Sequence, residues 1–440
     1  MTTSSSIQTA RYSGRESALI VCALVYSFVV HFGVFFRLSA DQDSLGLSSI
    51  LASAIVLLGA VPAIVVVARE VIYRFLVALL AAVTVGAVTS STGLSSATLN
   101  AAQFAFYIAL SASVAACVRS PLTLRHFWIA ASAGLMLSGA LTLIDFYGFY
   151  DVPRNNELGI STETALGRVD QASGFFFNRS SMAALFVFTI TGTLVLALGH
   201  GGLLFRLNML IAGGTGFVTV VLTHNRSAVV GSLIAIAVYA LRSSRFRGSK
   251  RVVGLAILAG ILIGFGVLIS AFFPEQLAVY TEKLAFVTSG EEASQSDRSR
   301  LELLKIAISS LTSYPFGHGI TEIRYGLMQS DQINAHNVFT GLLWAAGVLF
   351  IAWLPPFLIV AVGRVRRIAR FVAVSKGFAP YIDAIQYGLL AWMLHNMTHF
   401  SLNTGLVWVA LGLMLSTCHL PRQRSDRRIV PTPQAALARQ

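Results

Sequence analysis

The stretch GLSSILASAIVLLGAVPAIVVVA, residues 46–68, decides the fold class of this chain. It contains no charged side chain, and about 20 consecutive apolar residues in a helix span the hydrocarbon core of a bilayer. Similar apolar blocks recur along the 440 residues, of which 55% are hydrophobic and only 12% are charged. Soluble domains carry roughly 25% charged residues. The composition therefore excludes a soluble enzyme, a disordered chain and a fibrous protein, and it predicts a polytopic integral membrane protein.

Twelve apolar blocks have about the length of a membrane span. Because lipid offers the backbone no hydrogen-bond partners, each block must form a helix. The blocks lie at residues 18–36, 46–68, 75–90, 98–118, 127–149, 181–200, 203–222, 227–241, 252–272, 337–362, 382–400 and 403–419. We therefore expect an all-α fold with about 12 transmembrane helices, forming a single membrane domain over residues 1–440.

The distribution of basic residues predicts the orientation of the chain. The net charge is +13, and Lys and Arg are retained preferentially on the cytoplasmic side of membrane proteins. If the N-terminus is inside, the inner connections and termini hold 22 of the 32 basic residues. We therefore expect both termini in the cytoplasm, with the basic tail 420–440 against anionic membrane lipids. The positive charge is explained in this way without a nucleic-acid partner.

Two connections on the predicted outer side are long, at about 150–180 and 273–336. The second is a large periplasmic loop before the tenth span. Within it, Leu301, Leu304, Ile308 and Leu311 recur at helical spacing. This spacing predicts an amphipathic helix that lies on the membrane or dips into it.

Several arginines lie at or near membrane depth on the predicted outer side. Arg226 lies in VLTHNRSAVV between two apolar blocks, and Arg298 and Arg300 precede the amphipathic segment. A guanidinium costs roughly 2.5 kcal/mol or more at the centre of a bilayer, and its planar fork matches phosphate oxygens. These residues indicate a site for a phosphate-bearing ligand. The alternative is that the side chains extend to the lipid headgroups without binding a ligand.

Three histidines are also candidates for chemistry. His336, which precedes Asn337 at the start of the tenth span, is placed to act as a general base. The alternative is that this pair begins the helix, with Asn337 as a cap. His395 and His399 are four residues apart, a spacing that metals use, but two ligands do not complete a metal site. Polar packing or the lining of a wet cavity is favoured for them, and we expect no metal.

Four stretches in this order resemble the O-antigen ligase and polysaccharide polymerase superfamily of bacterial inner membranes. They are GFFFNRSSMAAL (174–185), THNRSAVVGSLIAI (223–236), SRLELLKIAISSLTSYPFGHGI (299–320) and HNVFTGLLWAAGVLF (336–350). The resemblance implies a multi-spanning glycosyltransferase that uses neither a metal nor a cofactor. Its donor would be a glycan on undecaprenyl pyrophosphate, presented at the periplasmic face.

The resemblance also implies roles for individual residues. Arg226 and Arg300 would bind the pyrophosphate, and His336 would act as the base on the acceptor hydroxyl with support from Asn337. Further candidates for substrate binding are Arg179, Arg298 and His318. The acceptor would be the lipid A core in a ligase of lipopolysaccharide synthesis, or a growing glycan in a polymerase.

Two alternatives remain open at this point. The sequence does not separate a ligase from a polymerase, because both use the same donor. A carrier or flippase for a lipid-linked or amphiphilic anion is the competing class, and Asp145, His395 and His399 would then belong to a proton relay. The arginines cluster on one predicted face, and we found no pair of broken helices in the sequence. Both observations favour the enzyme.

Overall fold

The computed structural model describes most of the chain outside the termini and two long connections. The described residues are 13–33, 46–90, 94–117, 120–149, 161–164, 167–170, 179–199, 201–242, 260, 267, 270, 271, 274, 295–321, 323–325, 331–333, 337–374, 377–399, 402 and 404–416. The predicted tail 420–440 and most of the predicted ninth span, 252–272, lie outside these residues.

Helices form nearly all of the described structure. They are α1 (Gly14–Val29), α2 (Leu47–Arg69), α3 (Val71–Thr89), α4 (Leu94–Cys117), α5 (Pro121–Phe146), α6 (Arg179–Gly199), α7 (Leu203–Leu222), α8 (Arg226–Arg242), α9 (Gln295–Ser310), α10 (Val338–Ala346), α11 (Val348–Val374), α12 (Ala379–Asn396) and α13 (Gly405–Ser416). A short 3-10 helix, Val30–Phe32, follows α1.

Two short antiparallel hairpins lie in the two long connections that are predicted to be outside. Strand β1 (Ser161–Thr164) pairs with β2 (Gly167–Asp170), and β3 (Ile323–Tyr325) pairs with β4 (Asp331–Ile333). The sequence did not predict these strands. They are three or four residues long and lie outside the predicted spans, so the all-α prediction is confirmed for the membrane domain.

Eight of the described helices are long and apolar enough to cross a membrane. The outer surface of the bundle is apolar as well, since Leu57 on α2 is 75% exposed and Ile359 on α11 is 74% exposed. Extended exposed apolar faces are unusual in water and suit contact with lipid. The prediction of a polytopic membrane protein is confirmed. The number of twelve spans stays a prediction, because α8 and α13 have only 17 and 12 residues.

Helix α6 forms the centre of the larger core, and 94% of its most apolar 18-residue stretch is buried. It packs against α5, α7, α8 and α12. Small residues bring these helices close together: a Cβ on Gly388 of α12 would lie 2.8 Å from the Phe188 carbonyl oxygen. Trp128 of α5 stacks on Phe188 at 5.6 Å between ring centroids. A smaller core joins α3, α4, α10, α11 and α13.

The predicted tenth span, 337–362, is not one continuous helix. It is divided into α10 and α11 at Gly347, whose φ of 55° and ψ of −134° suit glycine. The backbone amide of Val348 donates to the carbonyl of Pro315 at 2.8 Å. The break arises because the turn 314–319 packs against the chain at Gly347 and provides this bond in place of a helical one.

Helix α9 confirms the predicted helical segment, and it has a second apolar face, not predicted from the sequence, that packs against the rest of the protein. Leu303 and Ala307 are buried against Trp344 and Ile323. Of the predicted stripe, Leu301 is 55% and Ile308 is 53% exposed. Both faces of this helix carry apolar residues, and the face that meets Trp344 is the one that is covered. That the exposed stripe contacts the membrane stays a prediction.

Candidate active site

The polar turn between α7 and α8 presents Arg226. The backbone amide of Asn225 donates to the hydroxyl of Thr223 at 3.2 Å, and the Asn225 Oδ1 accepts from the amide of Ala228 at 3.3 Å. Asn225 therefore caps the first turn of α8, as asparagine commonly does at helix N-termini. Arg226 is the first residue of the helix, and its side chain is half-buried.

The residue before this cap has an unusual backbone conformation. His224 has φ of 54°, in the left-handed region, and it is buried. A non-glycine residue in this region costs of order 1–3 kcal/mol and persists where the surroundings hold it, often at functional sites. The strain at His224 marks the Arg226 turn as a candidate site.

A cluster of polar side chains at the start of α8 and at the end of α12 lies at this turn. We call Asn225, Ser227, His395, Thr398 and His399 the histidine–serine cluster. The Ser227 hydroxyl donates to Asn225 Oδ1 at 2.9 Å. It lies 3.0 Å from Nδ1 of His395 and 3.3 Å from Nδ1 of His399. The two imidazole rings stack at 4.6 Å between centroids.

Both histidines of this cluster direct Nδ1 towards a hydroxyl. His395 is fully buried, and its Nε2 has no hydrogen-bond partner among the described residues. The residues that the structure describes contain no group of three or more side chains suited to hold a metal. The arrangement therefore favours the polar packing that we predicted for this pair.

A second polar group surrounds His318 in the turn 314–319. The His318 Nδ1 lies 3.0 Å from the hydroxyl of Ser90. Its ring stacks on Trp344 at 3.9 Å and lies 4.4 Å from the ring of Tyr314. Burial lowers the pKa of His318, because desolvation disfavours the charged imidazolium. A neutral His318 is therefore favoured in this turn.

The sequence YPFGHG explains the shape of the turn. Gly317 and Gly319 have φ of 85° and 73°, and a Cβ on Gly319 would lie 2.7 Å from the Cβ of Ala87. The amides of His318 and Gly319 donate to the carbonyls of Trp344 and Ala345 at 2.8 and 2.9 Å. The turn is thereby held between the C-terminal ends of α3 and α10.

Asn337 is the N-cap of α10, and its Oδ1 accepts from the amide of Thr340 at 2.6 Å. The capping role that we considered for Asn337 is therefore present in the structure. His336, the predicted base, lies outside the described residues. The cap fixes where α10 begins, at Val338.

The structure places the backbones of three more predicted residues. Arg298 and Arg300 lie in the first two turns of α9, and Arg179 is the first residue of α6. Their side chains lie outside the described part of the structure. The side chains that are described fall into two groups, one around Arg226 and one around His318. That Arg300 and His336 join the Arg226 group stays a prediction.

The bundle of spans with a polar group at helix ends defines the class of this chain as a polytopic helical membrane protein. Residues 210–354 match the family model described as O-antigen ligase. This match includes three of the four motifs quoted above and confirms the predicted resemblance to the O-antigen ligase and polysaccharide polymerase superfamily. No curated protein matches the chain. The family supports an enzyme of glycan transfer in a bacterial membrane.

Sequence reasoning missed how the histidine–serine cluster is assembled. Ser227 follows Arg226 in the sequence, but about 170 residues separate it from His395. The spacing of His395 and His399 was the one available signal. Nothing in the sequence indicated that both rings meet a hydroxyl beside Arg226.

Proposed function

We propose that this protein transfers a glycan from undecaprenyl pyrophosphate to an acceptor hydroxyl at the periplasmic face of the bacterial inner membrane. The match of residues 210–354 to the O-antigen ligase family is the observation that carries this proposal. The acceptor is the lipid A core in a ligase or a growing glycan in a polymerase. The buried, capped turn that presents Arg226 supports a site for the pyrophosphate.

The chemistry requires one bond to form and one to break. The acceptor oxygen attacks the anomeric carbon of the donor sugar, and the bond from that carbon to the pyrophosphate oxygen breaks with its electron pair. In this proposal His336 takes the hydroxyl proton, and Arg226 and Arg300 offset the charge that develops on the leaving pyrophosphate. Pyrophosphate is a good leaving group, so positioning and electrostatics supply most of the catalysis.

Two contacts between helix ends agree with the predicted alternation of spans. Ser227 at the start of α8 meets His395 near the end of α12, and both ends are predicted to be outside. Glu70, before α3, forms an ion pair with Arg364 on α11, and both are predicted to be inside. The alternation of spans derived from basic residues is compatible with these two pairings.

A carrier for the same lipid-linked anion is the second candidate, and one observation favours it. Helices interrupted near the substrate are typical of secondary transporters, and α10 and α11 are interrupted at Gly347. In this protein the turn 314–319 packs against the break, since the carbonyl of Pro315 accepts a hydrogen bond from the backbone amide of Val348. This packing favours a structural role for the break over a role in binding a transported substrate.

The deciding experiment uses the purified protein in detergent with a lipid-pyrophosphate-linked glycan, with and without a lipid A core acceptor. Gel shift and mass spectrometry detect the products. A longer glycan on the same lipid indicates a polymerase, and transfer to the acceptor with release of the lipid pyrophosphate indicates a ligase. No covalent product, together with movement of the lipid across proteoliposomes, would establish the carrier instead.

Substitutions test the proposed site. Arg226→Ala, Arg300→Ala and His336→Ala should each abolish transfer at normal abundance in the membrane, and Arg300→Lys should also fail because a point charge does not reproduce the bidentate fork. Arg298→Ala should have a mild effect, and Arg370→Ala, which removes an exposed arginine of α11, is the matched control. Full activity in the first three variants would refute the site.

A further inference from the structure

We propose that His395 is a positioning residue for Arg226 and acts through the hydroxyl of Ser227. The inference rests on the proposed function, in which Arg226 binds the pyrophosphate of the donor. It assigns a task to a buried histidine of α12 that lies outside the region matched by the family.

Hydrogen-bond accounting assigns the proton of His395 to Nδ1. The Ser227 hydroxyl has one hydrogen, which it donates to Asn225 Oδ1, an atom that can only accept. The Ser227 oxygen must then accept from Nδ1–H of His395, 3.0 Å away. The Nε2 of His395 is left as an acceptor, and it has no partner among the described residues.

The same accounting applies to His399. The Thr398 hydroxyl donates to the backbone carbonyl of His395 at 3.0 Å. Its oxygen therefore accepts from Nδ1–H of His399, also at 3.0 Å. The contact of His399 with Ser227 is longer, at 3.3 Å. His395 is thus the principal donor to Ser227.

These bonds hold the residues on both sides of Arg226. Asn225 is fixed by the cap to Ala228, and Ser227 is fixed by His395. The helices are close at this end, because a Cβ on Gly231 would lie 3.0 Å from the carbonyl oxygen of Ala391. The first turn of a helix lacks intrahelical partners for its amides and frays readily. The link to α12 therefore sets the position from which the Arg226 side chain extends.

Three variants distinguish this role from others. His395→Phe keeps a ring but removes the donor, and a displacement of about 1 Å in a catalytic group lowers rates by as much as 10²-fold. We expect a loss of transfer of roughly 10- to 100-fold. His395→Asn carries an amide N–H at the position of Nδ1 and lacks Nε2, so it should recover most of the lost rate. Ser227→Ala should resemble His395→Phe, and His126→Phe, at an exposed histidine, is the control.

A combined variant tests whether His395 acts through Arg226. In an Arg226→Lys background the bidentate fork is already absent, so adding His395→Phe should lower the remaining transfer less than twofold. An undiminished further loss would overturn the proposal. If His395→Asn were as defective as His395→Phe, Nε2 would be the important atom, and the positioning role would again be refuted.

Labelling of Arg226 gives a readout that does not depend on transfer. Phenylglyoxal modifies arginine, and mass spectrometry of the full-length protein in detergent gives the rate at Arg226. His395→Phe should change this rate severalfold, whereas His395→Asn and His126→Phe should leave it near the wild-type rate. Equal rates in all variants would refute the positioning role. If the variants gave this labelling pattern but the wild-type protein transferred no glycan, the proposed function would be refuted and the positioning role would stand.

Discussion

Substitution of Gly347 by alanine is expected to destabilise the fold strongly, because this residue allows α10 and α11 to meet the turn 314–319. The φ of 55° and ψ of −134° are open to glycine and strained for alanine, at about 1–3 kcal/mol. The added Cβ would lie 2.1 Å from the carbonyl oxygen of Pro315 and 2.7 Å from the amide nitrogen of Gly317. These are backbone atoms, so the turn must open and lose its bond to Val348, at about 1 kcal/mol.

The expected loss in free energy of unfolding is therefore about 2–4 kcal/mol, the sum of these two contributions. It is measured by titrating the protein in mixed micelles with a denaturing detergent. Gly363→Ala is the matched control, because it lies on α11 and its Cβ would have no neighbour within 4 Å. Alanine in a helix interior is favoured over glycine by roughly 0.5–1 kcal/mol, so this control should be neutral or stabilising. Equal stability of the two variants would refute the account of the break.

Three further perturbations test other parts of the structure by the same unfolding assay. His318→Phe should flatten the pH dependence of the free energy of unfolding. Burial lowers the His318 pKa from its usual 6.5, so the wild type should be most stable above pH 6.5 and should lose stability as the pH falls below that value, because the unfolded state then binds a proton that the folded state excludes. Parallel pH profiles of the two proteins would contradict this. Glu70→Gln should cost about 3 kcal/mol, because it leaves the largely buried Arg364 without its ion-pair partner, and Glu70→Gln with Arg364→Gln should cost less than the two single costs combined. Leu303→Ala should weaken the packing of α9 by about 2–5 kcal/mol, whereas Leu301→Ala should have little effect in detergent; the reverse order would refute the packing of α9 through Leu303.

The helices were predictable because lipid leaves an apolar segment a single way to satisfy its backbone. Hydropathy therefore located the segments that became α2, α6 and α7. The interruption at Gly347 was not predictable from hydropathy, since both sides of it are equally apolar. It depends on a turn more than 25 residues earlier in the chain, whose carbonyl at Pro315 replaces a helical partner.

The candidate site was predictable in its individual residues and not in their arrangement. Arg226 stood out because a guanidinium at membrane depth is costly. The face of α9 that packs against Trp344 was not predictable, because spacing identifies apolar stripes but does not show which of two contacts the rest of the protein. The contact of Ser227 with His395 depends on how α8 crosses α12, and no local pattern in either segment records that crossing.

The enclosure of α6 has a consequence for how the protein is made. Its neighbour α12 begins about 180 residues after α6 ends. Synthesis proceeds at roughly 5–20 residues per second, so α6 is in the bilayer for about 10–40 s before that neighbour is synthesised. The hydroxyls of Thr189 and Thr193 donate to carbonyls of the same helix, so they need no partner during this interval. A ribosome stalled before α12 would leave in lipid a helix face that the finished protein never exposes.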